Sequence, residues 1–202
     1  MTKRKKSLNI TGPVSEQMKC IQNLIYNYDV DTYYHCQKVA QNSVMIGQII
    51  GLSRKRILLI YNAALIHDLG KIKLPIEVFR KKEGLTDEEW GLVKQHPQIG
   101  TDLINSLNDS SLETTIPVVL YHHEHMDGSG YPFALQGEQI PFDARIVAIA
   151  DALDAMMSPR PFRDDIYSIG RALLKLINYC GTQFDEEIVH QVITWYKGKP
   201  LY

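Results

Sequence analysis

The sequence is short of most features that mark a specialised protein class. Its 202 residues include three cysteines, Cys20, Cys36 and Cys180. None forms a CxxC pair and the number is odd, which argues against a disulfide scaffold and suits free packing thiols in a reducing compartment. A formal net charge of -1 supplies no field for holding a DNA or RNA polymer, although Lys3 to Lys6 ("KRKK") form a local basic run. Residues 1–14 are read as a flexible basic leader. The basic start is not followed by a continuous apolar segment, and no run approaches the ~20 apolar residues needed to span a bilayer. The expectation is a cytoplasmic protein with no membrane segment in this chain. Repeats, low-complexity tracts and convincing alternating strands are also missing; no sensory domain fits in the first thirty residues, so the expectation is either a free-standing domain or a fragment excised from a longer protein.

What is present is helical periodicity. With 45% apolar and 22% charged residues, the chain can bury one substantial core and reads as a single globular domain. Met18, Ile21, Leu24 and Ile25 are spaced as one helix face over about 15–28, and a second helix runs from about Thr32 to Ile50, closed by Gly51. Ser53 reads as the N-cap of a strongly apolar helix that stops at Gly70. Thr86 with Glu89 makes a capping box. Asp109 or Ser110 caps a helix running through Thr114 to His123, in which Pro117 is a kink if it lies beyond the first turn. Asp143 caps a buried helix through "FDARIVAIADALDAMMS", and helices over Asp164–Asn178 and Asp185–Trp195 complete an all-α bundle.

Polar residues intrude on these apolar helices. His67 and Asp68 end the most hydrophobic one, where an unpaired carboxylate would cost several kcal/mol. Asp151 and Asp154 sit one turn apart on equally apolar ground. His35, His96, His122 and His123 are candidate partners, separated by intervals that allow several helices to converge on one point. Imidazole with carboxylate suits iron, manganese, nickel or zinc rather than an all-oxygen calcium cage. Simpler roles compete: His67 and Asp68 can satisfy each other, Asp151 can pair with Arg145, and Asp154 can cap or bridge locally. His125 and His190 are read as structural or solvent-facing.

Taken in order, four blocks carry a resemblance. "HDLGKIKLP" (His67 to Pro75), "HPQIG" (His96 to Gly100), "HHEHMDGSGYP" (His122 to Pro132) and "ARIVAIADALDAMMSPRPFR" (Ala144 to Arg163) resemble the motifs of the HD-GYP family, a branch of the HD-domain metal-dependent phosphohydrolases. The likeness runs from about Asp29 to at least Arg163. Cys36, Lys38, Pro159 and Phe162 depart from the family's usual serine, arginine, aspartate and tyrosine, none at a ligand position.

The resemblance implies an HD-domain helical bundle over residues 15–202, with a GYP loop (Asp127, Gly128, Gly130, Tyr131, Pro132) beside a centre of two or three divalent transition-metal ions. Iron or manganese leads, with zinc or nickel as alternatives. His35, His67, Asp68 and Asp151 would hold one ion and His96, His122 and His123 the second, with Asp68 bridging. Asp31, four residues before His35, is either a ligand of a third ion or an acid favoured at a helix start. Lys71 would meet a phosphate oxygen as a catalytic and substrate-binding group. Arg160 and Arg163 would contact a second phosphate or stand solvated, and Tyr131 would stack on a guanine, donate to phosphate, or pack its own loop. The activity implied is hydrolysis of the bacterial second messenger cyclic di-GMP to pGpG or GMP by a metal-activated bridging hydroxide. The alternatives are another cyclic dinucleotide or nucleotide as substrate, or a non-catalytic module that binds diguanylate-cyclase partners; a sensor-domain partner is a further possibility.

Overall fold

The computed structural model describes residues 15–158 and 165–198, so the basic run, Arg160, Arg163, Pro159 and Phe162 lie outside them. The described residues form an all-α bundle, with only two isolated β-bridges, Asp127 to Gln136 and Cys180 to Phe184. No helix among them is long and apolar enough to cross a membrane.

Local signals set most helix starts. Ser15 caps α1 (Glu16–Tyr28). Asp29 alone separates it from α2 (Val30–Ile49), accepting from the Thr32 N–H at 2.8 Å and pairing with Arg80 at 2.7 Å. Ser53 caps α3 (Arg54–Ala64). After α4 (Ile76–Arg80), the Thr86–Glu89 capping box opens α5 (Asp87–Val93) as expected. Next come α6 (His96–Ser106), α7 (Ser110–Glu113), capped by Asp109, and α8 (Ile116–Tyr121). The last three are α9 (Phe142–Met157), α10 (Ile169–Asn178) and α11 (Glu186–Lys197), with Asp185 as the N-cap of α11.

Four boundaries differ from the sequence reading. The apolar helix does not run to Gly70: α3 ends at Ala64, and a 3-10 turn covers Leu69–Lys73. The His67 ring takes the Ala64 carbonyl at 2.8 Å, the acceptor that a continuing helix would need for its own ladder. The helix read as running from its Asp109 cap through Thr114 to His123 is two, α7 ending at Glu113 and α8 starting at Ile116, so Pro117 lies in a first turn, where its missing N–H costs nothing and no kink follows. Asp143 is not a cap: Pro141 holds that position without a side-chain bond, and Asp143 accepts instead from Arg56 Nε at 2.7 Å. The helix expected over Asp164–Asn178 starts later, at Ile169 with Ser168 as its N-cap, and Asp164 lies outside the described residues.

The core is one cluster in which α9 packs along α2, with α3 against both and α8 against α3 and α9. Ile46, Ile60, Val118, Ile146 and Ile149 are fully buried, each stabilising the fold by about 1.5–3 kcal/mol. One close approach shapes the site directly. A Cβ on Gly70 would run into the carbonyl oxygen of His96 and lie 2.6 Å from the Gly100 nitrogen. Only glycine lets the 3-10 turn touch α6, and that contact brings Asp68 to His96.

Candidate metal centre

Helix ends converge on the same point in this bundle, and the same device orients three histidines there. His67, His96 and His122 each place Nδ1 on the carbonyl three residues earlier, at Ala64 (2.8 Å), Val93 (2.7 Å) and Val119 (2.9 Å). A carbonyl only accepts, so Nδ1 carries the proton and the Nε2 lone pair points inward. His35 is oriented differently. Its Nδ1 lies 2.6 Å from Asp154 Oδ2, while its Nε2 faces Asp151 Oδ1 at 3.0 Å.

These donors form two groups within which the ligand atoms lie no more than 4.8 Å apart: His35, His67 and Asp151, and Asp68, His96, His122 and His123. Asp68 stands between them. Its Oδ1 is 3.3 Å from His96 Nε2, and its Oδ2 is 3.5 Å from His67 Nε2 and 3.8 Å from His35 Nε2. One carboxylate therefore presents an oxygen to each group, as a bridging ligand must.

The residues fit a pair of cations on their own chemistry. His67 Nε2 is buried without a hydrogen-bond partner. His96 and His122 turn Nε2 towards Nε2 at 3.3 Å, and with both Nδ1 atoms protonated two lone pairs face each other. An orphaned acceptor and opposed lone pairs are costly unless a positive centre sits among them.

Electrostatics prepare the same state. Burial lowers the pKa of His96 to about 4 and of His122 to about 3, and lowers His67 and His123 as well. All four are neutral imidazoles at neutral pH, the form in which a histidine can donate to a metal. Burial opposes the charge on Asp68 and Asp151, but Lys71 and the surrounding imidazoles outweigh it for Asp68, and the His35 hydrogen bond does so for Asp151, holding both well below the usual carboxylate range. His35 goes the other way. Burial disfavours its charge, yet bonds to Asp151 and Asp154 raise its pKa. Cys36 also borders His67 and Asp68, but burial, with Asp68 next, pushes its thiol up, so it remains a protonated packing group.

Other expected residues are placed as follows. Lys71 donates to Asp68 Oδ2 at 2.6 Å. Asp31 is exposed near the start of α2 and belongs to neither donor group. Arg145 pairs with Asp185 at 3.1 Å and not with Asp151. Tyr131 stacks on His123, centroids 4.7 Å apart, with its edge against Trp90. Gly130 permits this, because a Cβ there would strike the backbone of residues 123–125. Asp127 is exposed and caps the loop through the Ser129 N–H, next to Gly128 at φ +81°. His125 is half-buried against Ser129, and His190 is exposed.

Two supporting residues were not assigned to the site from sequence. Asp154, noticed only as an anomaly, is the carboxylate behind His35, and its other oxygen accepts from Ser158 at 2.8 Å. Glu124 is 2% exposed and accepts from the Phe133 and Leu135 N–H groups at 2.7 and 2.9 Å, clamping the GYP loop. The available signal was an acid between histidines at the end of an apolar helix, the same anomaly that marked Asp68.

An HD-domain family model matches residues 19–188. The chain belongs to the HD domain family. Within it, the GYP loop accords with the HD-GYP resemblance. The chain is 34% identical over 178 residues to the cyclic di-GMP phosphodiesterase response regulator RpfG of Xanthomonas campestris, covering 88% of this chain and 47% of that protein. It is 34% identical over 134 residues to the 3'3'-cGAMP-specific phosphodiesterase 2 of Vibrio cholerae, covering 66% and 26%. This HD domain thus spans about half or less of the length of these relatives. Among solved structures, the HDG"Y"P protein Bd1817 of Bdellovibrio bacteriovorus shares the fold, with a TM-score of 0.64 at 24% identity, covering 82% of this chain and 52% of that one.

Proposed function

We propose that this HD domain is a phosphodiesterase that hydrolyses cyclic di-GMP to pGpG or GMP. The observation that carries the reading is Asp68, one buried carboxylate shared between two histidine-rich donor groups. In this reading His35, His67, Asp68 and Asp151 hold one ion, and His96, His122 and His123 with Asp68 the other. Two divalent ions, iron or manganese by preference, would supply Lewis-acid activation of the phosphodiester and of the attacking water.

The protein's own groups do the rest. The carbonyl-anchored imidazoles keep the donors aimed without reorganisation. Lys71, 2.6 Å from Asp68 Oδ2, places an ammonium at the edge of the centre, within reach of a non-bridging phosphate oxygen. The GYP loop, locked by Glu124 and by Tyr131 on His123, walls the site on one side. Arg160 and Arg163 are assigned to a second phosphate by motif, as planar forks suit bidentate contact. Asp31 is the candidate ligand of a third ion. A diguanylate cyclase or sensor domain is the class of partner such an activity serves.

The test is chromatography of cyclic di-GMP incubated anaerobically with protein loaded with iron(II) or manganese(II), with Asp68→Ala alongside. The expected result is metal-dependent pGpG or GMP that disappears in the variant. No product from protein shown to contain two equivalents of metal would overturn the reading.

A further inference from the structure

A cleft of about 340 Å³ opens beside His122, His123 and Asp151. Its floor is α9. Ala148, Asp151, Ala152 and Ala155 recur at i, i+3, i+4 and i+7, so the helix face that aims Asp151 at the centre continues as a strip of methyl groups. On the other side α10 contributes Lys175 and, one turn later, Tyr179. Lys175 Nζ lies 5.9 Å from the Tyr179 ring centroid, and no carboxylate among the described residues pairs with it. A flat apolar floor, an aromatic ring and one unneutralised ammonium thus share a cavity whose end is the metal centre.

On the phosphodiesterase reading, we propose that this cleft is a nucleobase subsite selective for guanine, with Lys175 as the residue that reads the base. When a phosphodiester lies at the metal centre, a nucleoside attached to it enters the cleft and rests its base on the alanine strip beside Tyr179. An ammonium only donates hydrogen bonds. Guanine offers it two adjacent acceptors, O6 and N7, whereas adenine presents N7 beside an amino donor. The volume is near the lower end of ligand pockets, roughly 300–1,000 Å³. It accommodates one nucleoside and not a whole cyclic dinucleotide, so only one of the two bases is read here. The domain therefore accepts cyclic di-GMP and the mixed guanine–adenine dinucleotide, each able to present a guanine, and discriminates against cyclic di-AMP.

The experiment is calorimetric titration of GMP and AMP into the manganese-loaded protein, wild type and two variants. GMP is expected to bind roughly 10- to 100-fold more tightly than AMP. Lys175→Met should abolish most of that difference, weakening GMP more than AMP because adenine loses only its N7 contact, while leaving metal content and Tm unchanged. Ala148→Leu, which fills the strip, should weaken both nucleotides and retain the metal. Equal affinity of the wild type for GMP and AMP would overturn the proposal. So would an equal loss of both in Lys175→Met, the mark of a phosphate contact, or unchanged binding in Ala148→Leu. Turnover of cyclic di-GMP reports separately on the parent reading: guanine preference without turnover removes the phosphodiesterase and keeps the subsite, and turnover without preference does the reverse.

Discussion

The two sides of the centre hold imidazoles by different means. On the His96–His122 side, the orienting partners are the backbone carbonyls of Val93 and Val119, the rings are neutral, and burial is the dominant influence. On the His35 side, His67 keeps the same kind of backbone anchor at Ala64, but His35 itself is held by carboxylates, Asp154 behind the ring and Asp151 in front, and its pKa is raised. The first side is preorganised by the fold itself, and no side-chain substitution can delete its orienting groups. The second side depends on a replaceable acid. A ligand's aim is thus robust where helix ends supply it and tunable where a side chain does.

The most severe disruption removes the group that both sides share. Asp68→Ala should lose both ions and at least about 10³-fold in phosphodiester hydrolysis, since several kcal/mol of transition-state stabilisation go with the metals; elemental analysis beside the rate measurement checks it. Loss of a single ion with most of the rate retained would mean that Asp68 serves one side only. A sharper probe is Asp154→Asn. It should weaken one metal equivalent about 10- to 100-fold, leave the other unchanged in a titration, and spare Tm far more than affinity. Equal weakening of both equivalents would erase the asymmetry.

Acid distinguishes the sides without mutation. Unfolded imidazoles take up protons near pH 6.5, whereas folded His96 and His122 do so only near pH 4 and 3. The unfolded state therefore binds more protons between those limits, and stability falls as pH drops through 6.5. Metal-free protein should lose on the order of 2 kcal/mol between pH 6.5 and 5.5 from these two groups, seen as a Tm lower by several degrees. His35 works in the opposite sense, because its raised pKa stabilises the fold below the ordinary imidazole value. His122→Ala should flatten the profile, and a profile unchanged in that variant would remove burial of neutral imidazole as its cause. The mildest effect is expected at the loop. Glu124→Gln leaves one of the Phe133 and Leu135 N–H groups without its acceptor and should cost about 1 kcal/mol, with KM for substrate shifting more than metal content.

Much of the fold was legible because its signals are local. Ser53, Thr86 with Glu89, and Asp109 cap helices where the sequence placed caps, since a cap needs only the next three residues. The ends of α3 and α5 were harder to read. There a histidine side chain replaces the backbone as partner of the last carbonyls, and hydrophobic periodicity cannot register that exchange. The donor residues were visible as polar intrusions on apolar helices. Their supporting residues were less so, because Asp154 and Glu124 matter through partners 119 and 9 to 11 residues away.

By itself the sequence determined an all-α chain, the positions of most helix starts, and a set of imidazoles and carboxylates intruding on apolar helices, where each needs a partner, a cation or one another. Those follow from short-range periodicity, capping and the cost of desolvating charge. Tertiary structure alone decided which oxygen of Asp68 faces which group, that Lys71 rests on that carboxylate, and that the Asp151 face of α9 continues as the floor of a cleft closed by Lys175 and Tyr179. These depend on how separate helices cross. Glycines at 70 and 100 permit the close contact between the 3-10 turn and α6, and no periodicity within a single helix encodes a distance between two.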